Sequence, residues 1–201
     1  MPRILLFLPL AAIFLICVAS RCEAADSAAV AAHRARLTIT EPPRDAQQVL
    51  TVFKQLAAEK NRPGGSAARE VVVFGQIGGM PNVWPDTHPK FPWYPGQASF
   101  FLVDSKIAKQ FAQHAKHHGG HDNCVFCQQL AAKNVNAIAV VNLVDADGKT
   151  VPIDLQQVVP LKENQTVIIR GKAKLLAGSL LQIDADGIYV KPPATSRVAR
   201  P

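Results

Sequence analysis

The sequence lacks the short signatures that mark most hydrolases and nucleotide-binding enzymes. It has no G-x-S-x-G nucleophile elbow, no H-E-x-x-H pair and no glycine-rich phosphate loop. Nor does any segment repeat at a fixed period, which removes solenoids and propellers. An apolar run long enough to span a bilayer is missing too. The nearest approach is Ile4 to Val18, fifteen residues broken by Pro9 and preceded by Arg3. That is the length of a signal-peptide core and falls short of the roughly 20 residues a spanning helix needs. Residues 1–24 are therefore expected to be a signal peptide, cleaved after Ser20 or Ala24, and the mature chain to be secreted, periplasmic or in the cell envelope. No transmembrane segment is expected after cleavage. Ile16 before Cys17 and Arg21 before Cys22 are too large for a lipoprotein signal.

Cysteine is also scarce, at four residues. Cys17 and Cys22 fall at the signal, leaving Cys124 and Cys127. In an oxidising compartment such a pair forms a disulfide unless a metal holds it. Loss of Arg3, Arg21 and Glu23 with the signal leaves a net charge of +6 from the formal +7. The excess is dispersed, apart from Lys106, Lys109, Lys116 and Lys133, so nucleic acid is not the expected partner. A protein partner in the cell envelope stays open.

What the chain does have is a dense run of metal-ligating side chains. His114, His117, His118, His121, Cys124 and Cys127 follow the order H-x-x-H-H-x-x-H-x-x-C-x-x-C. On a helix ending at His118, His114 shares a face with His117 or with His118. The adjacent pair points about 100° apart and cannot both join it. Gly119-Gly120 allows a reversal that brings His121 back, and Cys124 and Cys127 open the next helix, where backbone amides favour thiolates. Imidazole and thiolate are the ligands of zinc and copper. The favoured set is Cys124, Cys127, His121 and one of His117 or His114, with His118 as a further donor. The competing readings are a Cys124–Cys127 disulfide beside a solvated histidine loop, and a thiol-disulfide redox site.

Periodicity organises the remainder. Residues 25–43 read as a flexible lead-in. Over 44–66, Val49, Val52, Phe53, Leu56 and Ala57 recur at helical spacing, with Asp45 and Gln48 as a capping box and Pro63-Gly64-Gly65 as the stop. Glu70 to Ile77 and Ala98 to Val103 read as strands. Between them, prolines stiffen a loop carrying Trp84, Trp93 and Tyr94, which either stack on a ligand ring or fold over a core edge. Ser105 is placed to cap a helix over Lys106 to His118, and Asp122 or Asn123 one over Cys124 to Lys133. Ala137 to Val144 and Thr150 to Ile153 flank the turn Asp145-Ala146-Asp147-Gly148. Thr166 to Lys174, Leu180 to Asp184 and Ile188 to Val190 complete the strands, with Asp186-Gly187 as another turn. Residues 191–201 are expected to be a disordered tail. His33 and His88 stand alone and read as surface or loop histidines.

The segments VVVFGQIGG, ASFFLVD, AVVNLVDADGKTVPIDL, TVIIRGKAK and LLQIDADGIYV together resemble uncharacterised secreted bacterial OB-fold-like proteins with a cysteine-bearing insertion after the second strand. Gly75 and Gly171 stand where the first and fourth strands of such barrels bend. The resemblance covers about three-fifths of the chain and implies a fold rather than a reaction. Histidines stand here where the relatives carry further cysteines. The expected class is thus mainly β with helices (α+β). It is an OB-like small β-barrel over 67–190, with a helical His/Cys insertion at 105–135 between strands 2 and 3, and one N-terminal amphipathic helix. The expected function is exported, non-catalytic binding of zinc or copper. The alternatives are an oligonucleotide-, oligosaccharide- or protein-binding module with a C-x-x-C disulfide, or a thiol redox protein.

Overall fold

The computed structural model describes residues 27–60, 67–118, 125–176 and 180–192, the side chains of Lys60 and of residues 115–118 excepted. The expected signal peptide, the Pro63-Gly64-Gly65 stop, the Asp122 or Asn123 cap and residues 193–201 of the tail lie outside them. Five strands close a barrel: β2 (Arg69–Ile77), β4 (Ser99–Val103), β5 (Ile138–Leu143), β6 (Thr166–Leu175) and β7 (Leu181–Val190). Neighbours run antiparallel except β5 and β7, which are parallel, and Gln76↔Val103 with Ile77↔Leu102 joins β2 to β4 to shut the ring. Two short strands lie outside the ring. β1 (Gln47–Gln48) pairs with β2, and β3 (Trp93–Tyr94) pairs with β4.

Alternation decides which side chains fill the barrel. In β6, Val167, Ile169 and Ala173 are buried while Arg170 and Lys172 are exposed. Val73, Ile77, Phe100, Leu102, Val141 and Ile183 join them inside. Two glycines stand where the wall folds closest. A Cβ on Gly75 would lie 2.7 Å from both Leu102 Cγ and the Val103 carbonyl oxygen, and one on Gly171 would collide with the Asp184 carbonyl. Only glycine permits that approach. Just before Gly171 the β6–β7 register shifts, so Arg170 faces Gly187 while Gly171 faces Ala185. This bulge lets β7 run unbroken through Asp186-Gly187, which is therefore not the turn that its composition indicates. The Asp145–Gly148 turn does form, but Thr150 makes only a single bridge to Val144 and no strand follows to Ile153.

Helix α2 (Val49–Lys60) closes one end of the barrel, with Val49, Val52, Phe53 and Leu56 in the barrel core, as the 3.6-residue period predicts. Its start differs from expectation. Asp45 adopts a left-handed backbone (φ 59) and Gln48 belongs to β1, so no capping box forms. The cap comes from Asp104, whose Oδ2 accepts the Leu50 amide at 3.1 Å. The other oxygen, Oδ1, accepts the Lys106 amide at 2.9 Å and so caps α3 (Ser105–His118) as well. Ser105, expected in that role, begins the helix instead, and its hydroxyl has no hydrogen-bond partner. With its amide turned to donate, Gln48 adds nitrogen contacts of 2.8 and 3.1 Å to the two oxygens. The carboxylate, 1 % exposed, thus joins two helix starts through one side chain.

The segment expected to be a flexible lead-in contains helix α1 (27–37), whose last residue, Leu37, is fully buried in the barrel core. Arg34 donates to the carbonyls of Val158 and Gln157, and Arg36 to that of Val144. These carbonyls lie more than a hundred residues away, beyond the reach of local composition.

Candidate functional site

The stretch between β4 and β5 holds α3 and α4 (Val125–Lys133), followed by a 3₁₀ turn at Val135–Ala137. It packs against the outer face of the barrel. Outward-pointing Phe101, Val103, Ile138 and Val140 form a second apolar cluster with Ala108 and Phe111 of α3 and Cys127 and Ala131 of α4. This explains the unbroken apolar run of β4, which is buried at every position because helices cover one face and the barrel fills the other.

Phe111 and His114, three residues apart, share a face of α3. That face meets α4, where Phe126 lies 6.0 Å from His114, ring centroid to centroid, at 58°. Cys127 is completely buried in the cluster that holds Phe111. His114 is half-buried. The helices that carry His114 and Cys127 therefore face one another. His117 and His118 fall in the last turn of α3 with side chains outside the described set, and His121 and Cys124 lie outside the described residues. Among the described residues no three His, Cys, Asp or Glu side chains gather as a metal-binding group. Among the described residues, Val125 and Phe126 at the start of α4 are the exposed large apolar side chains, at 66 % and 59 %.

The proline-rich loop turns its aromatics onto Phe101. Trp84 stacks on that ring at 5.2 Å and Phe91 at 5.0 Å, while Tyr94 lies tilted against it at 4.9 Å. His88, which the sequence leaves as a lone loop residue, sits inside this group, 4.9 Å from Tyr94 and 5.2 Å from Phe101. Burial pushes the Tyr94 phenol up to about 12. Trp93, next in chain and so on the opposite side of β3, packs against the barrel core. Trp93 and Tyr94, with Lys90, Asp154 and Gln156, line a small cavity of about 330 Å³.

The basic residues of β6 do not form a free cationic groove. Arg170 pairs with Asp186 at 2.8 Å, Lys174 with Asp184 at 3.3 Å, and Lys172 stands opposite Glu70 on one side and Asp184 on the other. A polar row continues around the barrel: Asn142 donates to Asp184 at 3.2 Å and Ser99 donates to Asn142 at 2.8 Å. Burial alone raises the Asp184 carboxyl, but hydrogen bonds from Gln182, Asn142 and Lys174 bring it below its ordinary value. Ser99 spends its proton on an amide oxygen that cannot act as a base, so the row does not activate it as a nucleophile. Sequence reasoning missed this row and the carboxylates facing the basic stripe. Their positions on alternate residues of β7 carry the signal, but only once the register between strands is known. Among the described residues no helix is long and apolar enough to cross a membrane. No family model matches the chain, and no curated protein matches it.

Proposed function

We propose that this protein is an exported, non-catalytic OB-like domain that holds a zinc or copper ion in its helical insertion. The OB-like assignment is supported by the ring order of the barrel strands. Numbered along the chain they run first, second, third, fifth and fourth, and the fourth pairs back to the first as in five-stranded Greek-key barrels. The insertion follows the second of these strands. OB folds habitually bind ligands on the outer face of strands two and three. Here that face is the apolar surface under α3, α4 and the aromatic loop, which disfavours oligonucleotide or oligosaccharide binding there. The pairing of basic residues on β6 with carboxylates weighs the same way.

The observation that carries the metal reading is the meeting of His114 on α3 with the Phe126–Cys127 start of α4. A buried sulfur and a half-buried imidazole on facing helices are soft and borderline donors suited to zinc or copper. Cys124 and His121 complete a set of four by chain proximity, with His117 as the alternative to His114. The ion would tie the helix pair together and stabilise it. Cobalt(II) titration of the purified full chain is the test. Thiolate-to-cobalt bands that vanish in Cys127→Ser and weaken in His114→Ala are expected. Absent bands, with both thiols unreactive until reduction, would replace the ion with a disulfide.

A further inference from the structure

We propose that the open edge of β2 is a docking groove for an extended basic peptide, which adds there as a short extra strand. The two edges of β2 are not equally occupied. Arg69 to Gln76 pair with β6 along one edge. On the other, β1 pairs only with Val73 and Phe74, and β4 only with Gln76 and Ile77. Among the described residues no strand pairs with 69–72 on that edge. Main-chain N–H and C=O groups point alternately to the two sides of a strand, so residues 69–72 present donors and acceptors there that no strand among the described residues takes up. The chain turns away at Asp45, whose φ of 59 ends the extended run that forms β1. Added strands find such an edge ready-made.

Three further features indicate what would fill it. The edge opens into a cleft of about 810 Å³ that reaches from Asp45 and Gln47 across Glu70 to Asp186. The Oε1 atom of Gln47 on that wall is buried and accepts no hydrogen bond, so it is placed to receive a donor from an incoming chain. The lining is acidic in a basic protein: five carboxylates face three cations, whereas the whole chain carries +7. Arg69 is engaged by Glu59 at 2.9 Å, Arg170 by Asp186 at 2.8 Å, and Asp184 by Lys174 at 3.3 Å, which leaves Asp45, Glu70 and Asp145 facing Lys172. Main-chain pairing supplies affinity without regard to sequence, and the carboxylates select lysine or arginine on the strand that pairs.

The test uses the full chain and fluorescein-labelled Lys-Val-Lys-Val-Lys-Val in an anisotropy titration. Saturable binding is expected, weakened about tenfold or more by N-methylation of every residue in the peptide and by Glu70→Lys. Hydrogen exchange at residues 69–72 should slow when the peptide is added. Glu70 is an exposed strand residue, so its replacement leaves the core intact, and circular dichroism checks this. No saturation, equal binding of the N-methylated peptide, or equal binding of Glu-Val-Glu-Val-Glu-Val would overturn the proposal. So would a concentration-dependent dimer of the chain that Glu70→Lys abolishes, since a second copy would then own the edge.

Discussion

Replacing Asp104 with alanine should weaken two helices that no sequence pattern connects. The side chain accepts the Leu50 amide of α2 and the Lys106 amide of α3, and the Gln48 amide nitrogen lies within hydrogen-bonding distance of both oxygens. Each lost helix cap costs about 1 kcal/mol, and a buried donor left without a partner adds about 1–3 kcal/mol. The cap donors sit in a region where Asp104 is 1 % exposed, so water cannot readily replace the carboxylate. The sum is about 3–5 kcal/mol, against a total stability of roughly 5–15 kcal/mol for an ordinary domain. Urea unfolding of wild type and Asp104→Ala gives the difference directly. Asp104→Asn, which keeps one acceptor oxygen, should lose about half as much. Hydrogen exchange supplies the sharper readout: the first turns of α2 and α3 should lose protection together. A cost under about 1 kcal/mol, or loss of protection in α3 alone, would refute the shared cap.

Four further outcomes follow from the same geometry. Phe101→Ala should cost about 3–5 kcal/mol and shift tryptophan emission to the red, because Trp84 loses the ring on which it stacks; unchanged emission counts against the aromatic packing. Gly171→Ala should destabilise by about 3 kcal/mol in a thermal melt, since its Cβ meets the Asp184 carbonyl; a neutral result would mean the wall is not close-packed there. The fold favours the neutral Tyr94 phenol, so its contribution is whole below pH 10, the unperturbed value, and declines as pH climbs through about 12. The difference in ultraviolet titration between wild type and Tyr94→Phe should show that late ionisation, and a midpoint near 10 would contradict it. Asp184 runs the other way: its lowered carboxyl adds stability above the ordinary value of 3.8, which is lost as pH falls below it. Asp184→Asn should therefore flatten acid unfolding, and an unaltered acid limb would rule this out.

Elements whose cause is local were legible in the sequence. The stripe of Val49, Val52, Phe53 and Leu56 reads as one helix face and is one. VVVFGQI and TVIIRGKAK read as bent strands, and their glycines do stand at close approaches of the barrel wall. The Asp145–Gly148 turn was equally plain, since the Asp145 carboxylate accepts the Asp147 and Lys149 amides within the loop itself, both at 2.9 Å. What failed depended on distant chain. Asp104 caps Leu50 from 54 residues away, and Arg34 anchors the lead-in on carbonyls 123 and 124 residues distant. Asp186-Gly187 has turn composition, yet pairing with β6 on either side of it, and with β5 up to Ala185, carries β7 on through a bulge. At the site, spacing alone indicated that His114 and Cys127 belong to facing helices. The burial of Cys127, the enclosure of His88 by aromatics and the Ser99–Asn142–Asp184 row all needed several elements brought together, which one-dimensional patterns do not encode.

The most direct measurement is elemental analysis of the protein recovered from the exported fraction, combined with a count of reactive thiols before and after chelation. A stoichiometric zinc or copper content, with Cys124 and Cys127 becoming alkylatable only once the ion is stripped, is the predicted result. Protein that emerges metal-free, with neither sulfur alkylatable until a reductant is added, would contradict it.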